Sequence, residues 1–118
     1  MPYKDREVQL AAQLAHYKHN KRLFDERRRQ GQERNRQWIN NYKLAHPCPF
    51  CPQHESDPCC LDFHHLNPNE KEETINRCLH HNWSLERLQK EVAKCIVVCA
   101  NCHRKIHAGK IQIHASQV

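Results

Sequence analysis

The chain has 118 residues, a net charge of +6, eight cysteines and only two glycines, with a mean hydropathy of −0.98. That length suits one small domain plus an appendage, and a domain so small often needs a metal or disulfides to be stable. No segment approaches the roughly 18 apolar residues of a membrane span, and the N-terminus lacks the apolar stretch of a secretory signal, so the expectation is a cytoplasmic protein whose cysteines bind metal.

Residues 5–42 are predicted to be helical. No proline occurs between Pro2 and Pro47, and Gly31 is the one glycine. Leu10, Leu14, Tyr17 and Phe24 fall on one face, which Trp38 and Tyr42 resume; two helices broken near Gly31 are the alternative. The arm also holds the whole charge excess. Residues 1–45 contain eleven Lys/Arg against five acids, while residues 46–118 contain eight of each. A basic arm on a neutral module suits a polyanionic partner, although a solvated charged helix has the same composition. The expected division is a basic helical arm over 1–45 and a compact domain over 46–118.

Residues 46–60 carry four prolines and four cysteines and read as a turn-rich knuckle. Leu61–Leu66 reads as a short strand, and 67–82 as polar and irregular. Ser84 suits an N-cap for a helix over about 85–94, with Leu85, Leu88 and Val92 on one face. Ile96–Val98 is β-branched and reads as a second strand. A last helix is expected from about Asn101 to Ala108, stopped by Gly109.

Cys48-x-x-Cys51 and Cys99-x-x-Cys102 are two CxxC pairs. Each lets two sulfurs point into one tight turn, and two such turns supply the four tetrahedral ligands of a structural zinc. The 47 residues between them imply a folded insert closed by the metal. Cys59, Cys60, Cys78 and Cys95 lack that spacing and read as core or incidental thiols.

Four histidines have ligand-like spacing. His103 and His107 stand one helical turn apart on the last helix, and Cys102 ties the start of that helix to the zinc knuckle. His64 and His65 end the first strand, where adjacent side chains diverge. Asp62 shares a strand face with His64 and is placed to accept a hydrogen bond from a ligand histidine. The remaining histidines lack such context.

The segments Leu61–Leu66 and Lys94–His107, taken together, resemble the HNH endonuclease family, and within it the zinc-containing members of phages and mobile elements. The resemblance covers about residues 46–109. It implies an α+β fold, a zinc-stabilised ββα-metal finger carrying one divalent ion. It implies His64, His103 and His107 as ligands of a catalytic cation (Mn²⁺, Ni²⁺, Mg²⁺ or Zn²⁺), and His65 as the general base that activates water against a DNA phosphodiester, leaving 5′-phosphate and 3′-hydroxyl ends. Histidine suits proton transfer because imidazole titrates near neutral pH. The family's middle Asn is replaced here by Lys94, which can donate but not accept. Backbone groups, Asn101 or Asn67 are the candidates to brace His65 instead, leaving Lys94 available to a phosphate. Arg104, Lys105 and Lys110, with Arg27, Arg28 and Arg29 on the arm, are candidate DNA contacts whose affinity should fall with salt. The competing expectation is a non-catalytic zinc-stabilised module that binds nucleic acid or accompanies phage packaging proteins.

Overall fold

The computed structural model describes residues 2–114, with side chains described for residues 5–114. The last residues of the expected 46–118 domain, 115–118, lie outside the described residues. The chain runs α1 (Pro2–Ala45), β1 (Leu61–His65), α2 (Ile75–His80), α3 (Leu85–Val92), β2 (Cys95–Cys99) and α4 (Ala100–His107), with short 3₁₀ turns at Pro58–Cys60 and Pro68–Glu70. This is an α+β arrangement around one two-stranded antiparallel sheet.

α1 is a single helix of 44 residues. At 1.5 Å per residue it should reach about 66 Å, and it sets the 77 Å long dimension of the molecule. The break considered at Gly31 does not occur, and packing explains why glycine stands there. A Cβ on Gly31 would lie 2.5 Å from Asn82 Oδ1, so the missing side chain lets the helix pass the turn at Asn82, whose φ is 51°. Around this crossing α1 docks. Gln32 donates to the carbonyl of His80 at 3.2 Å. Asn35, fully buried, donates from Nδ2 to the carbonyl of Trp83 at 2.7 Å. Ile39 enters the core with Trp38 and Tyr42 beside it. Almost every side chain from 5 to 30 is exposed.

The sheet register pairs Leu61 with Cys99 and His65 with Cys95. Every residue of β2 is buried, which is why its β-branched run reads as a strand. One core cluster joins Leu61, Ile96, Val97 and Val98 to the four CxxC cysteines. A second joins Ile39, Ile75, Trp83, Leu88 and Val92. Tyr42 and Phe63 pack against both.

The segment 67–82 is more ordered than its polarity suggests. Thr74 caps α2, accepting from the backbone N–H of Arg77, and Ile75 and Cys78 are buried beneath it. Ser84 caps α3 in the same way. Gly109 follows α4 with φ 75°, the left-handed conformation of a helix stop.

Candidate functional site

The two CxxC turns come together. The sulfurs of Cys48, Cys51, Cys99 and Cys102 all lie within 4.8 Å of one another. Four sulfurs about 2.3 Å from one tetrahedral ion would stand about 3.8 Å apart, so the set fits zinc. The local backbone suits thiolates. The N–H of Glu55 donates to Cys51 Sγ at 3.2 Å. The N–H of Cys102 donates to Cys99 Sγ at 3.4 Å and caps α4. Burial pushes the Cys48 thiol up, but backbone N–H groups outweigh it and hold the thiol at about 7. Burial, then the neighbouring thiols, push Cys102 up to about 12. A cation held among the four sulfurs would favour their thiolate forms.

The other cysteines divide. Cys78 and Cys95 are buried, and burial pushes them to about 11 and about 12, which makes them inert. Cys59 and Cys60 are exposed, with sulfurs 3.8 Å apart.

β1 and α4 bring the histidines to one wall of an open groove of about 640 Å³, lined also by Lys43, Asp62, Lys71 and Ile75. The ligand nitrogens of His64, His103 and His107 lie within 4.8 Å of one another. His64's ring centroid is 5.2 Å from each of the other two. His103 Nε2 and His107 Nε2 are 3.1 Å apart, close to the roughly 3.3 Å expected of two nitrogens on one tetrahedral ion. Asp62 Oδ2 accepts from His103 Nδ1 at 3.2 Å. A carboxylate only accepts, so Nδ1 carries the proton and Nε2 keeps its lone pair. Burial, followed by the charges of His103, His107 and His65, holds His64 below the ordinary imidazole range, in the neutral form that ligates. The donor set suits a transition metal.

His65 lines the same groove but is not part of that trio. Its side chain is only 9% exposed, and Nε2 lies 2.9 Å from Oε1 of Glu91. Glu91 is buried at the centre of a small network. Its Oε1 also accepts from the backbone N–H of Glu72 at 3.0 Å and of Glu73 at 3.5 Å. Its Oε2 accepts from Lys94 Nζ at 2.8 Å. Burial pushes the Glu91 carboxyl up, yet the bonds from Lys94, His65 and the two backbone donors prevail and hold it at about 2. An ionised Glu91 fixes the His65 proton on Nε2, and a neutral ring then presents its Nδ1 lone pair.

Neither Asn67 nor Asn101 braces His65. Asn67 caps its own 3₁₀ turn, and Asn101 is exposed at the start of α4. Lys94 is held by Glu91 and by the carbonyl of Glu70 at 2.9 Å, because a buried carboxylate needs a counter-charge more than solvent needs an ammonium. Glu91 is the site residue that sequence reasoning missed. Its signal was an acid three residues after Leu88, on the apolar face of α3. Lys43 and Lys71 were missed too, and both face the groove.

The expected DNA contacts scatter. Arg104, Lys105 and Lys110 are exposed around the end of α4, and Lys105 lies toward the cysteine knuckle rather than the histidine groove. Arg27, Arg28 and Arg29 are exposed on α1, and Arg28 reaches the carbonyl of His80 at 3.5 Å. Among the described residues, no helix is long and apolar enough to cross a membrane. No family model, curated protein or solved structure matches this chain.

Proposed function

We propose that this protein is a metal-dependent HNH-type endonuclease that hydrolyses DNA phosphodiester bonds, with zinc at the four cysteines as a structural ion. The carrying observation is the convergence of His64, His103 and His107 at ligand distance on the groove that His65 also lines. A fold that needed only a structural zinc has no use for that second donor set.

A divalent cation at the three histidines would neutralise charge on a phosphate oxygen and on the leaving oxygen. The remaining work falls to side chains. Glu91 holds Nε2–H of His65, so Nδ1 is the nitrogen that takes a proton from the attacking water. Asp62 keeps the lone pair of His103 Nε2 turned to the site. Lys43 and Lys71 supply positive charge along the groove for flanking phosphates. Lys43 lies 5.4 Å over the Phe63 ring and donates to the carbonyl of Pro58 at 3.3 Å. Products with 5′-phosphate and 3′-hydroxyl ends are expected.

The test is supercoiled plasmid incubated with the protein and Mn²⁺, Ni²⁺, Mg²⁺ or Zn²⁺. Nicking that disappears in His65→Ala, while that variant keeps its fold and bound metal, supports the proposal. EDTA alone is a weaker control because it also strips the cysteine ion. Tight DNA binding without cleavage under every metal would refute the enzyme and favour the zinc-stabilised binding module.

A further inference from the structure

Cys59 and Cys60 belong to neither donor set and to neither core cluster. They end the 3₁₀ turn Pro58–Cys60, and both are exposed. The turn is held firmly. Asp57 caps it, its Oδ1 accepting from the backbone N–H of Cys59 at 3.1 Å. The N–H of Cys60 donates to the carbonyl of Asp57 at 2.9 Å. Lys43, on α1, donates to the carbonyl of Pro58 at 3.3 Å. Adjacent side chains diverge on an extended strand, but this turn brings the two sulfurs to 3.8 Å. Hydrogen bonding to the Asp57 carboxylate, followed by the Cys60 thiol, pushes Cys59 up to about 11, so it stays protonated at neutral pH. A disulfide is a poor use of such a pair. Adjacent Cα atoms across a trans peptide stand about 3.8 Å apart, short of the roughly 4.4–6.8 Å that a disulfide usually spans. A protonated thiol also attacks an oxidant poorly.

We propose that Cys59 and Cys60 chelate a further thiophilic divalent cation, zinc or one of like chemistry, beside the four-cysteine knuckle. Two sulfurs about 2.3 Å from one tetrahedral zinc stand about 3.8 Å apart, so the pair closes on an ion without rearrangement. Each sulfur gives its proton to solvent and its electron pair to the metal, with no change of oxidation state. Asp57 is the third donor, because its carboxylate already meets the Cys59 thiol, and solvent completes the shell. Two thiolates and a carboxylate exceed a divalent cation by one negative charge, and the nearby Lys43 ammonium, which senses Cys59, offsets it. The pair lines a groove of about 460 Å³ together with Cys51, Cys99 and Cys102. A cation held there stands at the open side of the knuckle. Among the described residues, only the knuckle and the histidine trio bring three donors within 4.8 Å of one another. The ion at Cys59 and Cys60 is therefore the most weakly held and the readiest to exchange. The inference does not depend on the nuclease reading, because its readout is the reactivity of two thiols.

The experiment is alkylation of the full, zinc-loaded chain after a mild chelator has cleared weakly held ion. Iodoacetamide is added with and without Zn²⁺, and the modified cysteines are located by peptide mass spectrometry. Without added ion, Cys59 and Cys60 are expected to react, while the knuckle cysteines and the buried Cys78 and Cys95 stay protected. Added Zn²⁺ is expected to slow both reactions together, by about tenfold once the ion exceeds its dissociation constant by about tenfold. Cys60→Ser is expected to abolish the protection of Cys59 at that concentration, and Cys59→Ser that of Cys60, because one sulfur does not chelate. Asp57→Asn, which keeps an oxygen to cap the turn, is expected to weaken protection severalfold. All three positions are exposed, so an unchanged thermal melt serves as the folding control. Alkylation indifferent to Zn²⁺ overturns the proposal. So does protection of Cys59 that survives undiminished in Cys60→Ser. Thiols that fail to react without added ion until a phosphine reductant is supplied overturn it as well, and assign the pair to a disulfide.

Discussion

Replacing Glu91 removes the centre of the network that holds His65. The carboxylate has four partners: the His65 ring, the Lys94 ammonium and the backbone N–H groups of Glu72 and Glu73. In Glu91→Ala the His65 ring and the two backbone N–H groups lose their acceptor, and the partly buried Lys94 ammonium keeps the carbonyl of Glu70 but loses its counter-charge. Breaking a buried pair on one side costs about 3–5 kcal/mol. The pKa leads to a similar figure. A carboxyl moved from 4.5 to about 2 is stabilised in its ionised form by about 3 kcal/mol, at about 1.4 kcal/mol per unit. Glu91→Ala should therefore lose about 3 kcal/mol at neutral pH, a fall in Tm on the order of 15 °C for a domain of this size. Denaturant unfolding of the metal-loaded protein measures it. Removing both charges should cost less than the sum of the single changes, so Glu91→Ala/Lys94→Met should recover part of the loss.

The pH dependence has a definite sign. A depressed carboxyl contributes stability that is fully present above its unfolded value of 4.5 and is lost as pH falls toward about 2. The gap between wild type and Glu91→Gln, which does not titrate, should stay constant through neutral pH and narrow only below 4.5. Acid release of metal affects both proteins and cancels in the difference. A Glu91→Ala variant as stable as wild type, or a gap that already closes near neutral pH, would refute the reasoning.

Cys99→Ser should remove a zinc ligand and the sulfur that caps α4 together. Metal analysis should show less tightly bound ion per chain than in wild type, and the variant should be largely unfolded at neutral pH, because metal binding energy is folding energy in such knuckles; an unchanged thermal melt would contradict the assignment. Asn35→Ala should cost about 1–3 kcal/mol, because it leaves the carbonyl of Trp83 without its donor in a fully buried site. The loss should show in the thermal melt, with increased hydrogen exchange around residues 31–45 while the four-cysteine knuckle stays protected.

Much of the candidate site was legible because its residues are related by short spacings. Two residues between cysteines and three between His103 and His107 determine which atoms can face one ion. The β-branched run before Cys99 marked β2, and Ser84 and Gly109 marked helix ends by local hydrogen bonding and backbone conformation. The helix over 75–80 was not legible, since six residues hold too little periodicity to stand out and its stability comes from burying Ile75 and Cys78. Asn67 and Asn101 were reasonable candidates to brace His65 by chemistry, but chain proximity did not bring either of them to its ring.

Sequence alone determined the chemistry on offer: four thiols in two knuckles, a histidine pair at a strand end, two histidines on a helix face and a long arm without proline. These follow from covalent spacing and local backbone preference. Only the tertiary structure decided which groups meet. It brought the β1 and α4 histidines onto one groove and slid Gly31 past Asn82 so that α1 continues unbroken. It also buried Glu91 among donors from residues 65, 72, 73 and 94. Those partnerships depend on packing across 19 and 26 residues of chain for Glu72 and His65, and the free energy that selects them arises from burying the network as a whole, which no local pattern encodes.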